Sequence, residues 1–189
     1  MIEKNTWTTQ SKKIIYDNPW INLTEYQVLN PAGKPGIYGV VSFKNLAIGI
    51  IPLDENCFTW LVGQWRYPLK QYSWEIPEGG GKPDINPMES ARRELQEETG
   101  IVAKEYHEIC RLHTSNSVSD ELAIIFMATG LTHTQAHPEE TEDLTVKKIH
   151  INEAFEMVMK GEITDSLSVA GLLKAKILLD NKQKFPFIP

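Results

Sequence analysis

The stretch "GGGKPDINPMESARRELQEETGI", residues 79–101, decides how the rest of the chain reads. It passes from three consecutive glycines through Asn86, suited to an N-cap, and Pro87, suited to a first helical position, into a helix that stops at Gly100. Met88, Ala91 and Leu95 share one stripe at helical spacing, and that stripe has to face a core. Glu94 and Glu98 lie at one edge of it, while Arg92 and Arg93 fall elsewhere. Acids four residues apart repel by a few tenths of a kcal/mol, and a helix C-terminus, carrying about half a negative charge, disfavours them further.

A solvated face explains part of this pattern, since Glu89 with Arg93 and Arg93 with Glu97 are ion pairs at i,i+4 spacing. Glu94 and Glu98 are left over, because no Lys or Arg within the helix is in register with them. Adjacent carboxylates beside a glycine-rich turn, whose carbonyls no side chain screens, make an oxygen-only site suited to Mg²⁺ or Mn²⁺. A dication there removes the repulsion and the dipole penalty together, with further charge supplied by a phosphate substrate.

Upstream, residues 12–65 are short runs of β-branched and aromatic residues separated by turn chemistry, read as strands. "INLTEYQVL" nearly alternates and suits a half-buried antiparallel strand; "LAIGII" is apolar throughout and suits a sheet covered on both faces. A small N-terminal sheet to about residue 43 therefore precedes a central sheet. "QYSWEIPEGGGKPDINP" reads as a loop. Downstream, strands are expected at 102–112, 121–129 and 144–151, then two helices, the first stopped by Gly161 and the second started by Thr164 or Asp165. This order implies helices packed on a mixed sheet.

With 189 residues, 41% hydrophobic and 23% charged, the chain has the composition of a globular protein with one substantial core. Its formal charge of −6 argues against a general nucleic-acid binder, which needs clustered cations. Cys57 and Cys110 are read as packed, reduced thiols. The N-terminus lacks an apolar signal region and no run approaches the ~18 residues of a membrane span, so a cytoplasmic location without membrane partners is expected. The five histidines are scattered and receive no chemistry.

Residues 79–101 resemble the Nudix box: Gly79, Arg93, Glu94, Leu95, Glu97, Glu98, Gly100 and Ile101 match its pattern, whereas Ile85 stands where the family usually has Glu. The resemblance implies an α/β/α sandwich that uses divalent cations to hydrolyse a nucleoside diphosphate linked to another moiety. It also implies that Glu94 and Glu98 are direct ligands, that Glu97 holds a further ion or a water, and that the carbonyl of Glu78 is a backbone ligand. "GQWRYPLKQYSWEIPEGG", "SNSVSDE" and "GEITDSLSVAGLL" are similar to the ADP-ribose and nucleoside diphosphate sugar pyrophosphatases of the family. The proline that many ADP-ribose hydrolases carry about 16 residues past the box is replaced here by the neighbourhood of Ser115, Asn116 and Ser117.

That branch implies a β-lobe, residues 1–43, exchanged across a homodimer and contacting substrate, and a hydrolase domain, residues 44–189. In the acidic loop "HPEETED", residues 137–143, similar enzymes place a glutamate that assists the attacking water, and Glu140, followed by Glu142, is favoured for that part. The Arg66 fork suits a diphosphate or a salt bridge. Glu75 suits ribose hydroxyls or a capping role, and Trp20 suits a nucleobase or a core. Two functions remain open: an Mg²⁺-dependent hydrolase of a sugar nucleotide (or, within the family, of a dinucleotide or nucleoside triphosphate), and a non-catalytic sensor of such a ligand.

Overall fold

A computed structural model of the chain describes residues 4–136 and 143–181. The chain divides into two compact units, one made of Met1–Asn45 with His113–Glu121, the other of Leu46–Leu112 with Leu122–Pro189.

The first unit is an antiparallel sheet, β1 (Thr8–Asp17), β2 (Ile21–Leu29) and β3 (Pro35–Phe43), with β2 in the middle. Its turns rest on asparagine. The Asn18 carboxamide accepts from the backbone N–H groups of Trp20 (2.9 Å) and Ile21 (2.7 Å), and Asn30 accepts from Ala32 and Lys34, both at 3.0 Å. The distant segment 113–121 joins this sheet along β3. The Val41 N–H donates to the Val118 carbonyl (2.9 Å), the Asp120 carboxylate accepts from the Phe43 N–H (2.9 Å), and the Tyr38 hydroxyl donates to the Ser117 carbonyl (2.6 Å). Sequence position alone gives no sign of that attachment.

The second unit holds two sheets and three helices. A mixed sheet is built from β4 (Leu46–Pro52), β7 (Glu78–Gly81), β8 (Ile101–His113) and β9 (Leu122–His133), in the order β7-β4-β9-β8, with β4 parallel to β9 and antiparallel to β7. An antiparallel sheet orders β10 (Thr145–His150), β5 (Phe58–Arg66) and β6 (Gln71–Glu75). The helices are α1 (Pro87–Thr99), α2 (Ile151–Met159) and α3 (Ser166–Asp180).

Alternation along the two central strands places a helix on each face. Ile48 and Ile50 of β4 and Ile124 and Phe126 of β9 pack with Ala91 and Leu95 of α1. Ile51, Ile125 and Met127 pack on the other face with Leu167, Leu172, Ala175 and Leu178 of α3. Each such buried aliphatic side chain stabilises the fold by about 1.5–3 kcal/mol. This is the α/β/α sandwich with a mixed central sheet, and the apolar run of β4 is covered on both faces as its composition requires. Among the described residues no helix is long and apolar enough to cross a membrane.

One expectation is overturned: the presumed loop at 71–81 contains two strands. Glycine is poor strand material in isolation, yet Gly79, Gly80 and Gly81 pair with Ile48, Ala47 and Leu46 of β4. Gly79 and Gly81 serve close approach, since a Cβ on Gly79 would land on the Glu94 carboxylate and one on Gly81 would lie 2.8 Å from Ile48 Cγ1. Between β6 and β7, at Ile76 and Pro77, the chain crosses from one sheet to the other.

Candidate active site

Helix α1 is fixed at both ends. The Asn86 side chain accepts from the Met88 N–H (3.0 Å), and Gly100, in the left-handed conformation, donates its N–H to the Gln96 carbonyl (2.9 Å). Its buried residues include Glu94 and Glu98, 7% and 2% exposed. Protein groups answer these charges. The Arg93 guanidinium donates to Glu94 Oε1 (2.6 Å), to Glu97 Oε2 (2.8 Å) and to the Gly80 carbonyl (2.8 Å), and the Glu78 N–H donates to Glu98 Oε2 (3.0 Å).

The expectation that no cation of the helix reaches Glu94 is thus corrected. Successive helical residues do not face each other, but a long guanidinium stem anchored on an exposed glycine carbonyl bends sideways to its neighbour. Burial pulls the Arg93 guanidinium down, and the charges of Glu94 and Glu97 outweigh it, so its pKa stands above the ordinary value.

A second cluster forms where the chain crosses between sheets. Arg66, near the end of β5, donates through Nε and Nη2 to Glu75 (2.9 and 2.5 Å) and through Nη2 to Glu78 Oε1 (2.6 Å). Glu75 is 2% exposed, and Gln64 adds a long bond to it at 3.4 Å. Burial pushes the Glu78 carboxyl well above the usual range, the charges of Asp165, Glu75 and Glu98 push it further, and Arg66 opposes them. Arg66 is pulled down by burial and raised on balance by Glu75, Glu78 and Asp165. Glu78 therefore belongs to both clusters, its backbone N–H holding Glu98 and its carboxylate holding Arg66.

The donors present fit a hard dication. They are oxygens only, on Glu94, Glu97 and Glu98 of α1 and on the backbone of Glu78. The glycine-lined cradle at Gly79 seats the Glu94 carboxylate, and Glu78 Oε2 is buried without a hydrogen-bond partner. Among the described residues no three His, Cys, Asp or Glu side chains are grouped to hold a cation by themselves.

Of the remaining sequence-derived candidates, Trp20 lies in the first unit and is 67% exposed. Glu140 and Glu142 lie outside the described residues. Ile85, where the family usually has Glu, is 39% exposed. Sequence reading offered Asp165 as a helix start, which it is, but gave neither Asp165 nor Ser168 a part in the site. Asp165 caps α3, accepting from the Ser168 N–H at 2.7 Å, and its charge acts on both Arg66 and Glu78. Ser168 is fully buried and its Oγ accepts from the Ile76 N–H at 2.9 Å. The sequence signals for them are an Asp followed three residues later by Ser at a helix start and their place in "GEITDSLSVAGLL".

The sandwich and its acidic helix define a class of α/β protein that presents buried carboxylates beside a glycine-lined strand. Residues 44–166 match the NUDIX domain family, and residues 7–41 match the family described as the nucleoside diphosphate sugar hydrolase N-terminal domain. The chain is 32% identical over 177 residues to an ADP-ribose pyrophosphatase of Mycobacterium tuberculosis (strain ATCC 25618 / H37Rv), covering 90% of this chain and 83% of that one. It is 29% identical over 160 residues to an ADP-ribose pyrophosphatase of Bacillus subtilis (strain 168), covering 84% and 86%. Among solved structures, the crystal structure of an ADP compounds hydrolase shares the fold with a TM-score of 0.85 at 16% identity, over 96% of this chain and 98% of that one. The chain belongs to the Nudix family and is a pyrophosphohydrolase.

Proposed function

We propose that the enzyme hydrolyses the diphosphate bond of ADP-ribose or a related nucleoside diphosphate sugar, giving a nucleoside monophosphate and a sugar phosphate, with Mg²⁺ or Mn²⁺. The observation that carries this reading is the burial of Glu94 and Glu98 on the helix that faces the Gly79 cradle, together with relatives named ADP-ribose pyrophosphatase.

Glu94, Glu98 and the Glu78 carbonyl would hold the cation, with Glu97 serving a further ion or a water. Bound there, the cation supplies Lewis acidity for the phosphoryl oxygens and the attacking water. Arg66 offsets diphosphate charge, Glu75 accepts from ribose hydroxyls, and Trp20 stacks on the base. Glu140, or Glu142, takes the proton of the attacking water. Residues 1–43 form the lobe that dimerises and contacts substrate, residues 44–189 form the hydrolase domain, and the homodimer exchanges its lobes in the cytoplasm.

The test is turnover, followed by chromatography of nucleotide products, on ADP-ribose, ADP-glucose, GDP-mannose, NADH and a nucleoside triphosphate. Metal-stimulated turnover should be fastest on a sugar nucleotide. Preference for NADH or the triphosphate overturns the substrate class, and binding without turnover on all five makes the protein a sensor. Glu98→Gln should lower turnover by about 100-fold or more, beyond what losing a ligand's outer partner costs, with an unchanged melting temperature. Near-wild-type turnover would refute the ligand assignment.

A further inference from the structure

We infer that Ser168, on the first turns of α3, is a positioning residue for the backbone that presents the Glu78 carbonyl; this rests on the metal reading above. The chain leaves the β5–β6 sheet at Glu75 and enters the β4–β7 sheet at Glu78. Across that transfer neither ladder reaches the Ile76 N–H, and Pro77 has no N–H to offer. A buried backbone N–H without a partner is costly, so the crossing has to be tied by groups from elsewhere.

Three elements supply the ties. The Ser168 hydroxyl of α3 accepts from the Ile76 N–H at 2.9 Å, the Ile50 N–H of β4 donates to the Pro77 carbonyl at 2.8 Å, and Glu98 of α1 accepts from the Glu78 N–H at 3.0 Å. Of these, the serine comes from outside residues 79–101, 92 residues from its partner, while the Arg66 guanidinium bridges the Glu75 and Glu78 carboxylates at the two ends of the crossing. Ser168 sits among apolar residues of α3, Leu167, Gly171 and Leu172, where a hydroxyl is otherwise a poor choice. Its own N–H is held by the Asp165 carboxylate at 2.7 Å, which fixes the first turn. Packing is close here: a Cβ on Gly49 would lie 2.8 Å from Ile76 Cδ1 and 3.3 Å from Leu167 Cδ2, so β4, Ile76 and α3 meet at a glycine.

Rotation of the Ile76–Pro77 unit would turn the Glu78 carbonyl and side chain together. Loss of the Ser168 hydroxyl should therefore weaken cation binding without dismantling the fold. The experiment is titration of the full-length protein with Mn²⁺ alone, free Mn²⁺ being read by electron paramagnetic resonance and the Ile76 amide by hydrogen exchange. Ser168→Ala should bind Mn²⁺ about tenfold more weakly, the low end of what loss of a ligand's outer partner costs, and its Ile76 amide should exchange faster. Ile149→Ala, a core truncation on β10, should lower the melting temperature and leave Mn²⁺ affinity unchanged. Wild-type affinity in Ser168→Ala, or an equal loss in Ile149→Ala, overturns the positioning role. If Ser168→Ala does not fold, Ser168→Cys, of similar size but a weak acceptor, decides in the same way. A wild-type protein that fails to bind Mn²⁺, or a Glu98→Gln variant that binds it equally, overturns the metal reading instead.

Discussion

Glu78 shows how much one residue can join. Nothing in "EIPEGGG" sets it apart from Glu75, because its importance lies in the N–H it gives to Glu98 and the carboxylate it gives to Arg66, both long-range. Its carboxyl is raised from 4.5, first by burial and then by Asp165 and Glu75. The folded, metal-free protein therefore holds this proton more tightly than the unfolded chain, and stability falls as pH rises from 4.5 through the folded value. Glu78→Gln removes that dependence. In chelator the variant should melt about 2–4 °C above wild type at pH 8, the shift for roughly 1 kcal/mol at this size, and the gap should close as pH falls. A gap that narrows with rising pH would mean that pairing with Arg66 dominates. Arg93 carries the complementary lesson: helical spacing located Glu94 and Glu98 correctly, but could not foresee that the Gly80 carbonyl would draw the guanidinium onto Glu94.

Helix α1 was legible from end to end, because caps and periodicity act within a few residues. Asn86, Pro87, the Met88, Ala91 and Leu95 stripe and Gly100 each do locally what their chemistry suggests. Strand β7 was illegible for the converse reason: its pairing comes from β4, and its glycines reflect the room Glu94 and Ile48 need rather than any preference for a turn. Gly100 combines the two. Its φ is +69°, and a Cβ there would lie 2.6 Å from the Thr134 carbonyl oxygen and 2.8 Å from the Ala136 nitrogen. Gly100→Ala should therefore destabilise the protein by about 1–3 kcal/mol, the range for a non-glycine residue held in that conformation, read as a lower urea midpoint. An unchanged midpoint would show that the end of α1 relaxes freely.

For the whole molecule, the first unit poses the open question. A lone three-stranded sheet has little to bury, and this one exposes Ile14 by 62% and Ile37 by 67%, so the proposed lobe exchange is tested at this scale. Sedimentation should give twice the 21.5 kDa chain mass, and a single-chain mass would overturn the exchanged dimer. The amino-acid sequence by itself determined the acidic helix and the order of helices on a mixed sheet, since hydrophobic period and caps are local, and the resemblance carried by residues 79–101 implied the sandwich and the family. Only the tertiary structure decided that segment 113–121 joins the first sheet, that the glycine run is a strand, and that Ser168 and Asp165 reach the crossing at Ile76 and Glu78. Those depend on which distant backbone groups are left without partners, a quantity that exists only once the chain has folded.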